Sequence, residues 1–198
     1  RHPVRTIDVV EISPEVLEVA DRFADVNRVV LHGAGRTDID VRVHVDDGRH
    51  FVLRAEETWG VISLEPLMPY TPAAIHFYTR DFYETCRARL APGGLMCQWI
   101  PLQGMSGDDF KRLVAAFVAV YPDSAMFFVD GAVALVGGPD GVELSFSRVA
   151  ERLSDARVAE DLRSIGFADP ARALATWISG GEKLRAFVKD VEPVTDEF

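Results

Sequence analysis

Cysteines, long apolar runs and suitably spaced histidines are all scarce in this sequence. Its two cysteines, Cys86 and Cys97, are too few for a disulfide framework or a zinc ribbon and suit reduced thiols in or near a core. The five histidines form no HxH or HExxH spacing, so no metal site is expected. No stretch reaches the roughly 18 to 20 apolar residues of a membrane span, and the N-terminus lacks the apolar core of a signal peptide. The chain is therefore expected to be soluble and cytoplasmic.

Basic residues are also in the minority. With 21 basic and 31 acidic side chains the net charge is −10, and no basic cluster is present to follow a phosphate backbone. We therefore expect no nucleic-acid partner, whereas a cationic small molecule would be attracted by this charge. The 198 residues, 48% of them hydrophobic, are enough for one folded domain with a sizeable core.

A short apolar stretch from Trp59 to Pro66 is the clearest strand in the chain. Its pattern is typical of a strand covered on both faces, and Pro66 ends it because proline cannot donate to a strand ladder. In open α/β sheets, ligands bind beyond the carboxyl ends of the strands. Glu65, at that end, is therefore a candidate functional residue. The alternative is an ordinary solvated acid in a loop.

Strands and helices alternate through the first two thirds of the chain. Strand, helix and strand in succession predict a parallel sheet with right-handed crossovers. The proline-rich loop at 66–72 should lie at the edge where the strands end. Ser13 and Thr79 are expected N-caps, as is the Ser106 segment. Strands are expected over 6–12, 41–45, 59–66 and 95–100, and helices over 13–24, 49–55, 79–90 and 106–121.

The end of this pattern is antiparallel. Asp130 and Gly131 join two apolar strands, 125–129 and 132–136, which is a strong hairpin signal. A parallel sheet that finishes with an antiparallel hairpin is typical of Rossmann-like, S-adenosylmethionine methyltransferase-type α/β folds. Short helical patterns follow over 146–153, 158–165, 170–178 and 182–188. We therefore predict a Rossmann-type domain over 1–138 and a C-terminal helical extension over 139–198.

Acidic residues stand at the ends of three successive predicted strands. Glu11, Asp47 and Glu65 should meet at one edge of the sheet. A carboxylate at such a position can accept both hydroxyls of a ribose, because it offers two acceptor oxygens. Asp47 can accept an adenine amino hydrogen, while Gly48 lets the base approach the backbone. The alternative for Glu11 and Asp47 is ordinary capping at strand ends.

Four short motifs occur in order along the chain. They are DVVEI at 8–12, DGR at 47–49, YTRDFY at 78–83, and LAPGG at 90–94, which leads to Gln98-Trp99. This ordered set, over residues 6–138, resembles the polyamine aminopropyltransferase (spermidine synthase) family. The likeness is greatest to the bacterial branch whose synthase-like domain is fused to membrane helices. The Asn-Thr-Asp segment of that branch resembles residues 190–196, with Val194 in place of Asn.

The resemblance implies a transferase and assigns roles to residues. Glu11 would hold the ribose of decarboxylated S-adenosylmethionine or methylthioadenosine, and Asp47 with Gly48 would hold the adenine. Glu65 stands where the family has its catalytic Asp. Further candidates for lining the substrate site are Tyr78, Tyr83 and Gln98. Packing in the core would explain each of these three equally well.

Two departures from the family pattern bear on the site. The family's glycine-rich loop should lie about 20 residues before Glu11, whereas ten residues precede Glu11 here. The first strand and this loop are therefore expected to be absent, so that the chain is either a piece of a longer protein or one that lost half of its cofactor site. Met68 stands where the family carries a second Asp, and Glu65 is one methylene longer than Asp. The amine acceptor therefore stays open.

The expected function is transfer of an aminopropyl group from decarboxylated S-adenosylmethionine to a small-molecule amine. One alternative is a methyltransferase that uses S-adenosylmethionine itself. Another is a non-catalytic nucleoside-binding or regulatory domain of a larger protein. A homodimer stays open, as does a parent protein in which membrane helices tether this domain on the cytoplasmic side.

Overall fold

A computed structural model describes residues 4–27, 30–35, 38–66, 68–72 and 74–197. The chain divides into two compact units, Arg1–Ala55 and Glu56–Phe198, which we call the N-terminal unit and the C-terminal unit. Leu67, in the loop predicted over 66–72, lies outside the described residues.

The N-terminal unit contains a parallel pair of strands. Strand β1 (Thr6–Glu11) pairs with β2 (Asp40–Val45), and Glu11 lies opposite Val45. The pairing confirms the predicted parallel arrangement of the first two strands. Three short helices accompany these strands: α1 (Pro14–Ala20), α2 (Ala24–Asn27) and α3 (Gly48–Arg54), with 3₁₀ turns at Asp21–Phe23 and Val30–Gly35.

Local chemistry fixes the ends of these elements. Ser13 is the N-cap residue of α1 and Pro14 occupies its first turn, both as predicted. The Ser13 side chain makes no hydrogen bond to the helix backbone, and its hydroxyl donates to Glu15 at 2.6 Å.

A side-chain contact links the two strands. The His44 ring lies 2.9 Å from the half-buried Asp8 carboxylate and packs on Phe51.

The C-terminal unit is built on a five-stranded sheet. Strands β3 and β4 run parallel, and β4 is followed in space by β6, β5 and β7, all paired antiparallel. A parallel pair that continues into an antiparallel hairpin is the predicted arrangement. The strands are β3 (Trp59–Leu64), β4 (Leu90–Pro101), β5 (Ala125–Val129), β6 (Ala132–Gly137) and β7 (Trp177–Gly180).

Two strands of this sheet differ from the prediction in detail. In β3, Ile62 is buried but Val61 is 62% exposed, so the expectation of a strand covered on both faces is wrong. Strand β4 begins at Leu90, and the predicted turn at 91–94 is an irregularity within it, opposite the register shift between Trp59 and Val61. A positive φ of 71° at Gly93 permits this detour.

The hairpin between β5 and β6 forms as predicted. Asp130 and Gly131 both have positive φ, 47° and 77°, which is the backbone of a two-residue type I′ turn. Asp130 and Gly131 form the whole loop, since Val129 pairs with Ala132.

Helices of the C-terminal unit supply most of its core. On α5, Ser106 accepts from the Asp109 amide, and Leu113, Val114 and Phe117 are buried as predicted. The helices are α4 (Arg80–Ala88), α5 (Gly107–Val120), α6 (Phe146–Leu153), α7 (Ala156–Ser164), α8 (Pro170–Leu174) and α9 (Gly181–Val188). Cys86 is buried in this core and Cys97 is partly buried, both as free thiols.

The C-terminal segment is helical except for one strand. The predicted helix over 170–178 ends at Leu174, and Trp177–Gly180 forms β7 against β5. That part of the prediction is wrong because β5 offers an open edge whose hydrogen-bonding groups a strand can satisfy. Helix α9 is tied to α5 by Lys111, which lies 2.6 Å from Asp190. The boundary at residue 138 stays a prediction.

The described helices are too short or too polar for a bilayer: none of them meets the length and hydropathy of a membrane span.

Candidate functional site

Glu11 and Asp47 lie at neighbouring strand ends. Glu11 is the last residue of β1, and the amide of Asp46, just past β2, donates to the Glu11 carbonyl at 3.2 Å. Asp47 follows directly and starts α3. The structure thus brings these two predicted ligands to one edge of the two-stranded sheet. The convergence of Glu65 on the same edge stays a prediction.

Each of these carboxylates uses one oxygen to cap the backbone. Glu11 Oε1 accepts from the Ser13 amide at 2.8 Å, and Asp47 Oδ1 accepts from the His50 amide at 2.8 Å. Both carboxylates therefore cap the backbone, as the alternative interpretation expected. Each still has a second oxygen available for a ligand, because among the described residues that oxygen has no hydrogen-bond donor. Gly48 is the first residue of α3, beside the Asp47 cap.

Asp46, which the sequence interpretation missed, rigidifies this edge. Its carboxylate accepts from the Asp47 amide at 2.9 Å and from Arg54 at 2.5 Å, and His50 Nδ1 lies 3.4 Å away. Partial burial pushes the pKa of Asp46 upward, but the Asp47 amide and the charges of Arg54 and His50 outweigh it and lower that pKa. Its spacing to His50, four residues on, was the available signal in the sequence.

Glu65 lies just past the carboxyl end of β3, next to Gln98 on the neighbouring parallel strand β4. Glu65 follows Leu64, the last residue of β3, and its side chain is exposed. Leu64 pairs with Gln98 on β4. Glu65 therefore occupies a strand end of the kind where α/β folds place ligands.

Tyr78 and Gln98 share one acceptor. The Tyr78 hydroxyl donates to the Trp99 carbonyl at 3.3 Å, and the Gln98 amide donates to the same oxygen at 3.0 Å. Both side chains are fully buried, and burial raises the pKa of Tyr78 well above its usual value. The phenol therefore keeps its proton and remains a donor. Gln98 Oε1 is buried without a partner among the described residues.

Tyr83 lies in the packed core between α4 and α5. Its ring meets Phe117 edge to face at a centroid distance of 5.0 Å, and its carbonyl accepts from Tyr121. Burial, with smaller contributions from Tyr78 and other neighbours, raises the pKa of Tyr83. Packing thus explains its position, and a role for Tyr83 in lining a substrate site stays a prediction.

A cavity of about 470 Å³ opens beside the loop that follows Glu65. Residues from three parts of the chain line it: Pro69, Tyr70 and Ile75, residues within 104–113, and residues within 193–197. We call the last of these the C-terminal strap. The charged and aromatic residues of the lining are Tyr70, Asp109, Arg112 and Glu197.

The C-terminal strap is fastened to the start of α4. The Arg80 amide donates to the Val194 carbonyl at 2.9 Å, and the Asp196 amide donates to Asp81 at 3.0 Å. The Thr79 hydroxyl, which caps α4, donates to the Asp196 carboxylate at 2.8 Å. The sequence predicted the N-cap at Thr79. It did not identify the residues that line the cavity as site residues.

Metal ligation finds no support in the parts of the chain that the structure describes, where no three His, Cys, Asp or Glu side chains cluster.

Solved structures of two spermidine synthases and of a methyltransferase-like protein share this architecture. A probable spermidine synthase from Corynebacterium glutamicum matches 96% of this chain and 63% of its own, with a TM-score of 0.61 at 22% identity. Human methyltransferase-like protein 13, in complex with SAH, matches 98% of this chain and 75% of its own, with a TM-score of 0.55 at 18% identity. A spermidine synthase in complex with the transition-state analogue AdoDATO has a TM-score of 0.66 at 13% identity and is covered over 62% of its chain. The fold is thus a Rossmann-like, methyltransferase-type α/β fold.

The sequence narrows this class further. Residues 1–128 match the family model described as the spermine/spermidine synthase domain, and the chain belongs to that family. The polyamine aminopropyltransferase of Nitrosomonas europaea is 29% identical over 122 residues, covering 61% of this chain and 36% of the relative. The spermidine synthase of Dictyostelium discoideum is 28% identical over 124 residues, covering 62% and 42%. The chain thus spans less than half the length of these two relatives.

Proposed function

We propose that this chain is an aminopropyltransferase-like domain that binds an adenosine sulfonium, transfers the aminopropyl group of that sulfonium to an amine, and also binds the adenosine thioether that is left. The observation that carries the proposal is the pair Glu11 and Asp47, which lie at adjoining strand ends within the part of the chain that matches the family. Each keeps one carboxylate oxygen for a ligand. In this proposal Glu11 accepts from the ribose hydroxyls, and Asp47 with Gly48 receives the adenine.

Glu65 is the proposed base. An alkylammonium resembles the lysine ammonium, whose pKa is about 10.4, and has no lone pair until it loses a proton. An exposed carboxylate at a strand end can attract the ammonium and accept that proton. The amine nitrogen then attacks the methylene carbon bonded to the sulfonium. The new N–C bond forms as the C–S bond breaks, the electrons of that bond remain on sulfur, and methylthioadenosine leaves as a neutral thioether.

The first experiment measures nucleoside binding by isothermal titration calorimetry of the full chain with methylthioadenosine. We expect Glu11→Gln to weaken binding about tenfold, because it loses the charge and one ribose acceptor. Its remaining carbonyl oxygen can still accept from the Ser13 amide, so the local fold is retained. Glu18→Gln, an exposed acid on α1, is the matched control. No heat with the unmodified chain would contradict the proposal.

The product distinguishes the alternatives. Decarboxylated S-adenosylmethionine and an amine should yield an aminopropylated amine and methylthioadenosine. A methylated acceptor formed from S-adenosylmethionine would indicate a methyltransferase instead, a reading that the fold similarity to methyltransferase-like protein 13 also allows. Binding without any product would indicate a nucleoside-binding domain.

A further inference from the structure

The cavity beside the C-terminal strap has a defined wall. The strap is held to α4 by the hydrogen bonds that involve Thr79, Arg80 and Asp81, and Thr79 is fully buried. The opposite wall is α5, a helix of 14 residues whose inner side chains are buried. Both walls are anchored in the packed core, while the charged side chains of the lining, Asp109, Arg112 and Glu197, are exposed and accessible to a ligand.

Arg112 brings an uncompensated positive charge to this cavity. It lies one helical turn after Asp109 on α5, and both line the cavity. Asp109 is hydrogen-bonded to Ser106 at 2.7 Å. Among the described residues, no carboxylate lies within ion-pair distance of Arg112. A guanidinium is always charged and offers five donors, so Arg112 is suited to bind a carboxylate of a ligand.

Negative charge is present in the same cavity. The strap contributes Glu197, which has no hydrogen-bond donor among the described residues, and α5 contributes Asp109. Much of the remaining lining is apolar and includes Ile75, Met105 and Val194. A cation and carboxylates that share one cavity with apolar side chains match a ligand that carries both charges at the ends of a short alkyl chain.

We propose that this cavity binds a small zwitterion, an amine that also carries a carboxylate. Arg112 receives the carboxylate, and Glu197 with Asp109 receives the ammonium. A diamine would place its second ammonium against Arg112, and a simple carboxylic acid would leave Glu197 without a counter-ion. The assignment of this zwitterion as the amine acceptor rests on the proposed function, whereas the binding itself does not.

Three probes of equal chain length test the charge pattern. They are γ-aminobutyrate (zwitterion), putrescine (dication) and butyrate (anion), each titrated calorimetrically into the full chain without nucleoside. We expect γ-aminobutyrate to bind at least about tenfold more tightly than either of the others. Arg112→Gln should weaken γ-aminobutyrate about tenfold and leave putrescine unchanged or tighter. Arg148→Gln, on α6, removes an exposed arginine that is paired with Glu143 and should change nothing.

A second variant tests the other end of the ligand. Glu197→Gln should weaken γ-aminobutyrate about tenfold without weakening butyrate. The proposal is overturned when putrescine binds more tightly than γ-aminobutyrate, when Arg112→Gln leaves γ-aminobutyrate unaffected, or when no probe produces heat. If the unmodified chain binds γ-aminobutyrate but not methylthioadenosine, the proposed function is contradicted and the zwitterion site is not. If it binds methylthioadenosine but not γ-aminobutyrate, only the zwitterion site is contradicted.

Discussion

Thr79 and Asp196 stand 117 residues apart in sequence, yet the Thr79 hydroxyl donates to the Asp196 carboxylate at 2.8 Å. The same hydroxyl accepts from the Phe82 amide and so caps α4. One buried side chain therefore starts a helix and holds the C-terminal strap that lines the cavity. This contact therefore joins the start of α4 to the C-terminal strap.

Two substitutions of Thr79 should distinguish the contribution of its volume to stability from the contribution of its hydrogen bonds. Thr79→Val keeps the volume but loses the hydrogen bonds of the hydroxyl to Asp196, the Phe82 amide and the His76 carbonyl, and we expect it to lower the free energy of unfolding by about 2 kcal/mol. Thr79→Ser retains the hydroxyl and should cost much less. Urea denaturation followed by tryptophan fluorescence measures this, since Trp59, Trp99 and Trp177 all lie in the C-terminal unit. Equal losses in both variants would show that the hydroxyl is not what stabilises the junction.

Gly137 allows β6 to lie close to α5 and to Tyr121, the C-cap residue of α5. A Cβ atom at this position would lie 2.6 Å from Tyr121 Cβ and 2.9 Å from the Phe117 ring. Both rings are fully buried, so Gly137→Ala should destabilise the C-terminal unit by about 1 to 3 kcal/mol. Gly107→Ala is the control, because a Cβ atom at Gly107 would meet no neighbouring atom within 4 Å. Thermal unfolding of the two variants tests this difference.

Buried tyrosines should make stability fall at high pH. Burial raises the pKa of Tyr78, Tyr83 and Tyr121. The unfolded chain releases these protons near pH 10, whereas the folded chain holds them to higher pH. Below pH 10 both states are protonated and the tyrosines add no pH dependence. Above it, each one lowers the free energy of unfolding by about 1.4 kcal/mol per pH unit until its folded pKa is reached.

Tyr78→Phe isolates one of these protons. The variant should show a slope between pH 10 and 11 that is shallower by about 1.4 kcal/mol per pH unit. Tyr70→Phe, at a tyrosine that is 60% exposed, is the comparison. Urea denaturation at a series of pH values measures both slopes. An unchanged slope in Tyr78→Phe would mean that Tyr78 ionises in the folded chain.

Glu65→Gln tests the proposed base. Removing a general base lowers a rate by about 10²- to 10⁴-fold, and we expect aminopropyl transfer to fall by at least the lower figure near neutral pH. The deficit should shrink toward pH 10, where the free amine is already abundant. Glu57→Gln, an exposed acid just before β3, should react like the unmodified chain. Equal rates for Glu65→Gln and Glu57→Gln at pH 7 exclude Glu65 as the base.

Features set by neighbouring residues could be predicted from the sequence. The Asp130-Gly131 turn and the Thr79 cap depend on contacts within a few residues, and both form as expected. Glu11 and Asp47 could be paired because parallel strand ends meet at one edge. The turn and the cap are set within a short stretch of chain, and the pairing of Glu11 with Asp47 follows from the general geometry of parallel strands.

Features that depend on distant partners could not be predicted. β7 has a sequence that also suits a helix, and only the open edge of β5 makes it a strand. Arg112 and Glu197 meet at one cavity only because the C-terminal strap returns to α4.

Strand β7 also has a consequence for solubility. β5 reads Ala-Met-Phe-Phe-Val, without a charge or a proline, and β7 occupies its outer edge. Uncharged apolar strands with an open edge template self-association into fibrillar aggregates. The four residues of β7 thus protect the outer edge of β5 from pairing with another chain. A chain cut after Leu174 would leave this edge of β5 open to self-association.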